Sequence, residues 1–258
     1  MATEIHPQAC VEKGAQLDEG VSIGPFAYVG AGVSLGKGTV LHHHASVEGM
    51  TVMGRDNEVF PYACIGGKTQ DLKFKGGDLG LQVGDRNVFR ESVTVHMSTI
   101  EGTRTEIGDD NNLLAYSHVA HDATVGSHLI MSSNAAIGGH CIVDDHVYIA
   151  WASGLSPFVR VGKFSIVGAM SKITKNVPPF LMVDGNPGRV RTINKVRLER
   201  MGYDASAIEA AKSIYRTIYR EGLNRSQAVE KLKENPESDA ELYQLMIQFH
   251  GDSKMGYL

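Results

Sequence analysis

Apolar residues occupy every sixth position over most of this chain. The series runs unbroken from Ile5 to Ile65, resumes from Val83 to Val95, and continues from Ile107 to Ile173. A period of six fits neither the 3.6-residue helix nor the two-residue alternation of a simple sheet. It is typical of short strands that are joined by sharp corners and stacked as a parallel β-helix. We therefore predict an all-β solenoid for this part of the chain.

Small residues flank the apolar positions. Glycine often follows directly, as at Gly24, Gly36 and Gly108, and we expect these glycines to supply the positive φ of tight corners. Two residues before the apolar position, a small or β-branched residue is usual, so these two positions of each repeat are expected to point inward. Burial of one apolar side chain contributes about 1.5–3 kcal/mol, so the stacked repeats can support a core of their own.

The apolar series is interrupted twice. The expected apolar positions hold Asp71 and Gly77 in the first gap and Glu101 in the second. Polar residues cannot fill a core without hydrogen-bond partners. We interpret residues 67–82 and 97–106 as loops that leave the solenoid, and loops on a rigid scaffold often carry function.

A different pattern follows Ile173. Pro178 and Pro179 end the repeat, and residues 191–201 show a helical pattern. Further helices are expected after N-caps at three positions: Asp204, Ser226 and Ser238, the last in a capping box with Glu241. The sequence thus predicts a β-helix domain over residues 1–190 and a C-terminal α-helical domain over residues 191–258.

Composition excludes several classes of protein. A net charge of −4 over 258 residues creates no general field for nucleic acid. Three cysteines without CxxC spacing indicate neither a disulfide framework nor a cysteine zinc site. The first residues do not resemble a signal peptide, and no run of 18 apolar residues occurs, so we expect no membrane insertion and a cytoplasmic location.

Histidines are unusually placed in the repeat. None of those in the repeat region falls at an inward position, so a role in the core is not expected. Some should be solvated surface residues: His6, His42, His43, His44, His128 and His146.

A second group of histidines could carry chemistry. His121 is followed by Asp122, and His140 lies 19 residues further on, close to one full coil of 18. Histidine suits proton transfer near neutral pH, and a carboxylate can orient the imidazole. Backbone N–H groups at Gly138 and Gly139 could stabilise an oxyanion. Spacing alone leaves both a catalytic and a solvated surface interpretation open.

The repeat resembles that of the hexapeptide-repeat acyltransferases, which implies a left-handed coil with three six-residue sides. Longer motifs are similar to those of the UDP-N-acetylglucosamine O-acyltransferases over nearly the whole chain: Asn57-Glu58, Gln70-Asp71-Leu72-Lys73-Phe74, Gly84-Asp85-Arg86-Asn87, Arg90 to His96, Ala115 to Gly126, Gly139-His140, Val143-Asp144-Asp145, Val177-Pro178-Pro179 and Gly185-Asn186. The resemblance implies transfer of a 3-hydroxyacyl group from acyl carrier protein to the 3-position of UDP-N-acetylglucosamine, the first step of lipid A biosynthesis.

The resemblance also implies roles for individual residues in a homotrimer. His121 would be the general base, Asp122 would orient it, and the N–H of Gly139 would stabilise the oxyanion. Substrate binding would fall to Asp71, Lys73, His96, His118 and His140, with Asn194 and Arg200 reaching the uridine and phosphate from a neighbouring subunit. No metal is needed, because attack on a thioester requires a base and oxyanion stabilisation rather than a Lewis acid. No cofactor is implied either, since the acyl donor arrives on the phosphopantetheine arm of acyl carrier protein.

A basic segment could receive the carrier protein, which is acidic in such systems. The segment contains Arg189, Arg191, Lys195, Arg197 and Arg200 against the single acidic residue Glu199. A basic surface steers an acidic partner and raises its rate of association. An ordinary solvated helix face is the alternative.

The chain departs from the family pattern at two sites. Family members often carry His-Gln directly before the phenylalanine that is Phe158 here, whereas this chain has Ser156-Pro157. Val196 stands where the family usually has a glutamate that contacts the ribose. Proline cannot imitate the amide of glutamine, so acylation of a 3-amino sugar, with an amide product, is an alternative. Ala169 and Met170 are expected to limit the acyl chain to about ten to twelve carbons.

Three further readings compete. A zinc hydratase on the same fold would need converging ligands such as His96, His118 and His121. The N-acyltransferase of the next acylation step would carry a uridine-binding domain before the repeat, whereas this repeat begins at Ile5. A scaffold or sugar-binding protein would not depend on His121.

Overall fold

The computed structural model describes residues 2–238, 240–251 and 256–258. Most strands contain only two or three residues, as short sides between corners require. The strands are β1 (Glu4–Ile5), β2 (Cys10–Val11), β3 (Gln16–Leu17), β4 (Ser22–Ile23), β5 (Tyr28–Val29), β6 (Ser34–Leu35), β7 (Val40–Leu41), β8 (Ser46–Val47), β9 (Thr51–Met53), β10 (Glu58–Val59), β11 (Cys64–Gly67), β12 (Leu81–Val83), β13 (Val88–Phe89), β14 (Thr94–His96), β15 (Thr105–Ile107), β16 (Asn112–Leu113), β17 (His118–Val119), β18 (Thr124–Val125), β19 (Ile130–Met131), β20 (Ala136–Ile137), β21 (Ile142–Val143), β22 (Tyr148–Ile149), β23 (Gly154–Leu155), β24 (Arg160–Val161), β25 (Ile166–Val167), β26 (Lys172–Ile173), β27 (Leu181–Asp184) and β28 (Arg189–Ile193).

The strands form the three sides of a prism. Every third strand belongs to the same sheet, and neighbours in each sheet are parallel except for the last pair, β27 and β28. In a regular coil each residue pairs with the one 18 positions later, as Glu4 does with Ser22. The first sheet begins with β1, the second with β2 and the third with β3. The apolar position of each repeat points into a single core that runs along the prism.

The prism has three edges, which we name by the sheets they join. Edge I joins the first sheet to the second and includes Phe26, Tyr62 and Met170. Edge II joins the second sheet to the third and includes Asp122 and His140. Edge III joins the third sheet back to the first.

The corners differ from the sequence expectation in which residue takes positive φ. Gly24, Gly36 and Gly108 are not among the positive-φ glycines; that conformation falls two residues later, on larger residues such as Phe26. The glycines are required for close packing instead. A Cβ at Gly36 would lie 2.5 Å from the carbonyl carbon of Gly54 on the next coil. The expected role of these glycines in backbone conformation was therefore wrong.

Both predicted loops leave the prism, and they leave at the same edge. The first lies between β11, which ends at Gly67, and β12, which begins at Leu81; the second lies between β14, which ends at His96, and β15, which begins at Thr105. Pairing of Glu58 with Val88 shows a coil lengthened from 18 to 30 residues, and pairing of Thr94 with His118 shows one lengthened to 24. Each loop connects the second sheet to the third, so both emerge at edge II.

Buried asparagines support the coils that carry these loops. The Oδ1 of Asn57 accepts hydrogen bonds from the backbone N and Nδ2 of Asn87, and the Oδ1 of Asn87 accepts one from the N–H of Asn111. All three are fully or almost fully buried. This ladder keeps the coils in register inside the prism while the loops project outside it.

Helices follow the prism: α1 (Lys195–Arg200), α2 (Ala205–Tyr219), α3 (Arg225–Lys233) and α4 (Glu241–Gly251). Asp204 caps α2 as expected, but Asn224 and not Ser226 caps α3. The predicted helix over 191–201 begins only at Lys195, because residues 189–193 pair with β27. The first sheet thus extends through Ile193, and the division of domains at residue 190 stays a prediction. No helix in the described part of the chain is long and apolar enough to cross a membrane.

Candidate active site

His121 and Asp122 form a hydrogen-bonded pair at edge II. They follow β17 directly, and the positive φ of Asp122 (57°) turns its carboxylate back toward the preceding imidazole. The Nδ1 of His121 lies 2.8 Å from Oδ2 of Asp122. Because a carboxylate accepts a hydrogen bond, this contact places the ring proton on Nδ1 and leaves Nε2 free as a base. The pair can therefore take a proton from a substrate.

The carboxylate of Asp122 is held by the second loop. Its side chain is only 6% exposed, and it accepts hydrogen bonds from the backbone N–H of Thr99 at 3.0 and 3.1 Å and from the hydroxyl of Thr103 at 3.1 Å. Burial acts to raise the pKa of Asp122, but the hydrogen bonds from His121, Thr99 and Thr103 outweigh it and lower the pKa below its usual value. The carboxylate is therefore ionised at neutral pH.

Gly139 lies directly against the imidazole of His121. A Cβ on Gly139 would lie 2.7 Å from Nε2 and 2.6 Å from Cε1 of the ring, so only glycine fits. Among the described residues no acceptor bonds the N–H of Gly139. The base and a free backbone donor thus lie side by side, which is the arrangement that stabilises an oxyanion next to a proton acceptor.

His140 completes this corner. Its ring stands at 87° to that of His121 with the centroids 5.2 Å apart, and its Nε2 is 3.9 Å from Asp122 Oδ2. On its other side it stacks on Phe158, with the rings nearly parallel and 4.6 Å apart. Phe158 fixes the plane of His140 and leaves its nitrogens toward the dyad.

Two more histidines line a cavity of about 440 Å³ beside His121. His96 is 7% exposed and its Nδ1 has no hydrogen-bond partner. Burial, with the nearby His118 and His121, lowers the pKa of His96 to about 4. Burial likewise lowers the pKa of His118, whose Nδ1 lies 2.7 Å from the hydroxyl of Thr94. Both rings are therefore neutral at pH 7 and available to bind a polar ligand.

The first loop closes this cavity with Asp71 and Lys73. The backbone N–H of Lys73 donates to Oδ1 of Asp71 at 2.8 Å, which fixes the carboxylate. Among the described residues, one group could share a metal ion: Asp71, His121 and His140, whose ligand atoms lie within 4.8 Å of one another. The set considered for a zinc hydratase, His96, His118 and His121, is not such a group.

Asn194 and Arg200 lie elsewhere. They line an apolar cavity of about 530 Å³ on the first sheet, whereas His121 belongs to the edge between the second and third sheets. Asn194 also caps α1: its Oδ1 accepts from the N–H of Arg197, and its Nδ2 donates to the carbonyl of Phe164. One chain therefore does not bring these two residues to the dyad.

Ala169 and Met170 are exposed at edge I, beside the second sheet. Between them and the dyad, the outward positions on successive coils of this sheet are His118, Ala136 and Gly154. A Cβ on Gly154 would meet no atom within 4 Å. Small side chains therefore leave an open strip along the second sheet, from the cavity toward Met170.

The basic segment from Arg189 to Arg200 does not form a single helix face. The alternative that it is an ordinary solvated face of one helix was therefore wrong. Arg189 and Arg191 belong to β28, and Lys195, Arg197 and Arg200 to α1. Arg191 pairs with Asp184, and Lys195 pairs with Glu199 at 3.3 Å. Lys195 also lines a cavity together with Lys212 and Arg216 of α2 and with Arg220, which follows that helix.

Sequence reasoning missed several residues of the site, above all Thr69, Thr99, Thr103 and Phe158. Threonines in a loop carry no periodic signal, so the contacts of Thr99 and Thr103 with Asp122, and of Thr69 with Thr99, could not be inferred from spacing. Phe158 could have been found, because it lies 18 residues after His140 and hence one coil above it.

A solenoid of six-residue sides that carries a histidine–carboxylate pair next to a free backbone N–H defines the hexapeptide-repeat acyltransferases. Similarity to known proteins identifies one family within this class. A family model described as UDP-N-acetylglucosamine O-acyltransferase, domain 2, matches residues 176–258. Curated relatives match nearly the full length, and the chain belongs to the UDP-N-acetylglucosamine O-acyltransferase family.

Two curated relatives illustrate the match. The acyl-[acyl-carrier-protein]–UDP-N-acetylglucosamine O-acyltransferase of Paraburkholderia phymatum is 43% identical over 233 residues, or 90% of this chain and 89% of the relative. That of Burkholderia lata is 40% identical over 261 residues, 99% of each chain.

Solved structures agree. LpxA from Acinetobacter baumannii superposes with a TM-score of 0.96 at 34% identity over 98% of this chain and 99% of its own. The UDP-N-acetylglucosamine O-acyltransferase of Moraxella catarrhalis gives 0.95 at 35% identity over 98% of both. The prediction of a left-handed parallel β-helix followed by α-helices is confirmed.

Proposed function

We propose that this enzyme transfers a 3-hydroxyacyl group from acyl carrier protein to the 3-hydroxyl of UDP-N-acetylglucosamine, the first step of lipid A biosynthesis. The observation that carries the proposal is the packing of the His121 ring against Gly139, whose N–H has no acceptor among the described residues, while Asp122 bonds Nδ1 on the opposite side of the ring. The names of the curated relatives support both substrates.

The dyad suits attack on a thioester. The Nε2 of His121 takes the proton of the 3-hydroxyl while its oxygen attacks the thioester carbon, and Asp122 stabilises the imidazolium that forms. The N–H of Gly139 donates to the oxyanion of the tetrahedral intermediate. Collapse breaks the C–S bond, forms the ester, and the thiolate of the pantetheine arm receives the proton from His121. The step is redox-neutral and requires no metal or other cofactor.

The acceptor sugar would occupy the cavity between the first loop and the prism. Asp71 and Lys73 offer a carboxylate and an ammonium group, His96 and His118 offer neutral ring nitrogens, and His140 offers a further imidazole to sugar hydroxyls and phosphate oxygens. His96 is buried, and Asp71, His118 and His140 are half-buried, so each hydrogen bond that they make to the ligand discriminates against a sugar that cannot form it.

A homotrimer would complete this site. Large apolar side chains are exposed along edge I, among them Phe26, Tyr62, Tyr116, Trp151 and Met170. Several large apolar side chains exposed along one edge mark a contact surface, and we assign it to second and third copies of this chain packed around edge I. In that arrangement the first sheet of one subunit faces the second sheet of its neighbour. Asn194 and Arg200 then approach the cavity of the neighbouring subunit.

The open strip on the second sheet would hold the acyl chain. Ala136, Gly154 and Lys172 occupy its successive coils above His118. Three coil spacings of about 4.8 Å give about 14 Å, which is close to the length of ten to twelve carbons. Met170 and Lys172 then stand at the far end, in agreement with the proposed role of Ala169 and Met170 in limiting chain length.

Acyl carrier protein would bind the basic surface formed by Arg191, Lys195, Lys212, Arg216 and Arg220. Four of these five residues line one cavity on the helical region. An acidic partner is attracted to such a surface over distances of about a Debye length, so its association should weaken as salt increases. We place the reaction in the cytoplasm, in keeping with the free thiols of Cys10, Cys64 and Cys141.

The test is an acyl-transfer assay with 3-hydroxyacyl carrier protein and UDP-N-acetylglucosamine. Wild type should form the ester, and His121→Ala should be slower by about 10³-fold. Dialysis against a chelator should leave the rate unchanged. Loss of activity that zinc restores would support metal chemistry at Asp71, His121 and His140 instead.

The same assay compares the 3-hydroxyl and 3-amino sugar nucleotides. The relatives are named as O-acyltransferases, so the hydroxyl acceptor is the one proposed. A clear preference for the 3-amino sugar would instead indicate that Ser156-Pro157, in place of His-Gln, selects an amine acceptor.

A further inference from the structure

The loop between β14 and β15 has a role beyond spacing the coils. Its backbone N–H groups at Thr99 and, at 3.5 Å, Ile100 point at the carboxylate of Asp122. The hydroxyl of Thr103 also reaches Asp122, although it is shared with the carbonyl of Ile100 at 2.6 Å. The loop therefore supplies most of the donors that hold Asp122 in place.

The other loop is joined to this one through two hydroxyl groups. The Oγ1 of Thr69 lies 2.6 Å from the Oγ1 of Thr99, and Thr69 is only 6% exposed. The Oγ1 of Thr69 also accepts the backbone N–H of Asp71 at 3.1 Å. An unbroken path of hydrogen bonds and short covalent segments thus leads from Asp71 through Thr69 and Thr99 to Asp122.

We propose that Thr69 and Thr99 are positioning residues that couple the loop bearing Asp71 and Lys73 to the Asp122–His121 dyad. The inference rests on the proposed function, in which that loop binds the sugar nucleotide and the dyad transfers the proton. Because both loops project from edge II without a core of their own, the hydroxyl pair fixes one loop on the other. Ordering of the sugar loop and alignment of the dyad then belong to a single hydrogen-bonded unit.

The chemistry of the pair makes the coupling measurable. Removal of one hydroxyl leaves the other buried without its partner, whereas replacement of both by groups of the same shape removes the pair without that penalty. Valine has nearly the shape of threonine and no hydroxyl. Serine keeps the hydroxyl and loses only a methyl group.

The experiment compares Thr69→Val, Thr99→Val and the double variant in the full enzyme, with kcat and KM for UDP-N-acetylglucosamine measured at saturating acyl carrier protein. Each single variant should raise KM about tenfold, because the sugar loop is no longer held in its binding position. The double variant should be no worse than Thr69→Val, which already loses both the bond to Thr99 and the bond from the N–H of Asp71, and this is the signature of one shared interaction. Thr69→Ser and Thr99→Ser should restore KM to near the wild-type value.

Thr124→Val is the matched control. Thr124 lies on the exposed face of β18, and among the described residues its hydroxyl bonds neither loop, so its replacement should leave KM unchanged. Unchanged KM in both single variants, or a double variant whose effect is the product of the two, would overturn the coupling. So would a fall in thermal midpoint without any change in KM. Inclusion of His121→Ala separates the two proposals: if that variant is active, the proposed function fails, and if it is inactive while the threonine variants resemble wild type, only the coupling fails.

Discussion

Edges I and II of the prism both carry histidines, but in different surroundings. At edge I, His43 and His44 are exposed, their Nδ1 atoms 3.0 Å apart, and the ring of His44 lies between Phe26 and Tyr62. At edge II, His121 is mostly buried and is bonded to a carboxylate that a loop surrounds with donors. The same residue type thus lies on an apolar outer strip at one edge and in the proposed proton-transfer site at the other.

The difference originates in the two insertions. Regular coils leave a corner histidine open to water, because a six-residue side has nothing to cover it. The added residues at edge II remove water from His96 and bring donors to Asp122. Burial and a charged partner together produce the shifted pKa values that characterise functional sites.

The largest effect should come from the glycine beneath the imidazole. Gly139→Ala places a methyl group at 2.6–2.7 Å from the ring of His121, which must shift away from the N–H that we propose as the oxyanion donor. We expect kcat to fall by about 10³-fold. Gly154→Ala is the control, since its Cβ meets open space and the acyl strip can accommodate a methyl group. Equal kcat values for Gly139→Ala and Gly154→Ala would contradict the placement of the reaction beside Gly139 at edge II.

Acid stability should distinguish buried from exposed histidines. Burial lowers the pKa of His96 to about 4, whereas histidine in the unfolded chain titrates near 6.5. Between these values the unfolded state binds more protons, so stability falls as the pH decreases from about 6.5 toward 4. At pH 5 the unfavourable titration of His96 should lower the free energy of unfolding by about 2 kcal/mol.

His96→Gln should reduce that loss. The measurement is the free energy of unfolding by denaturant at pH 7.5 minus its value at pH 5. The exposed His43→Gln is the matched control at edge I, and its difference should equal that of wild type. If His96→Gln also behaved as wild type, His96 would have to be solvated in the folded enzyme.

Charge at edge I should dissociate the proposed trimer. Tyr62→Glu introduces a carboxylate into the exposed apolar strip, and its desolvation opposes association. We expect sedimentation to show a shift from three times the 27.9 kDa chain mass toward one, together with a loss of activity of about tenfold. Lys233→Glu, on the exposed face of α3, is the control for added charge. A Tyr62→Glu variant that remains trimeric would place the interface on another face.

The smallest effect should be on acyl selectivity. Ala169→Gly removes a methyl group at the end of the strip, and we expect about a threefold shift of kcat/KM toward longer acyl chains, at about 0.8 kcal/mol per CH₂ accommodated. Gly154→Leu should shift the preference toward shorter chains, because it fills the strip nearer to His121. If Ala169→Gly and Gly154→Leu both kept the wild-type preference for acyl chain length, the strip on the second sheet would not bind the acyl chain.

The coils were predictable from the sequence, and the contacts within the site only in part. Inward positions such as Leu113 and Val119 repeat every six residues, so the prism and its two interruptions follow from the pattern. Adjacency and coil length made His121, Asp122 and His140 candidates, whereas the catalytic roles of His121, Asp122 and Gly139 were implied by the resemblance to the family. The threonine contacts were not, because Thr69 and Thr99 are 30 residues apart and the path of a loop is not periodic. The start of α1 was misplaced because residues 189–193 can satisfy their backbone by pairing with β27.

Chemical rescue of His121→Ala tests the central claim most directly. The variant leaves a space beside Gly139 that a free imidazole molecule can enter. We predict that added imidazole restores a measurable part of the acyl-transfer rate, in proportion to the concentration of its neutral form, and that Asp122→Asn does not respond. A His121→Ala enzyme that transfers acyl groups within tenfold of the wild-type rate without any added base would contradict the assignment of His121 as the proton acceptor.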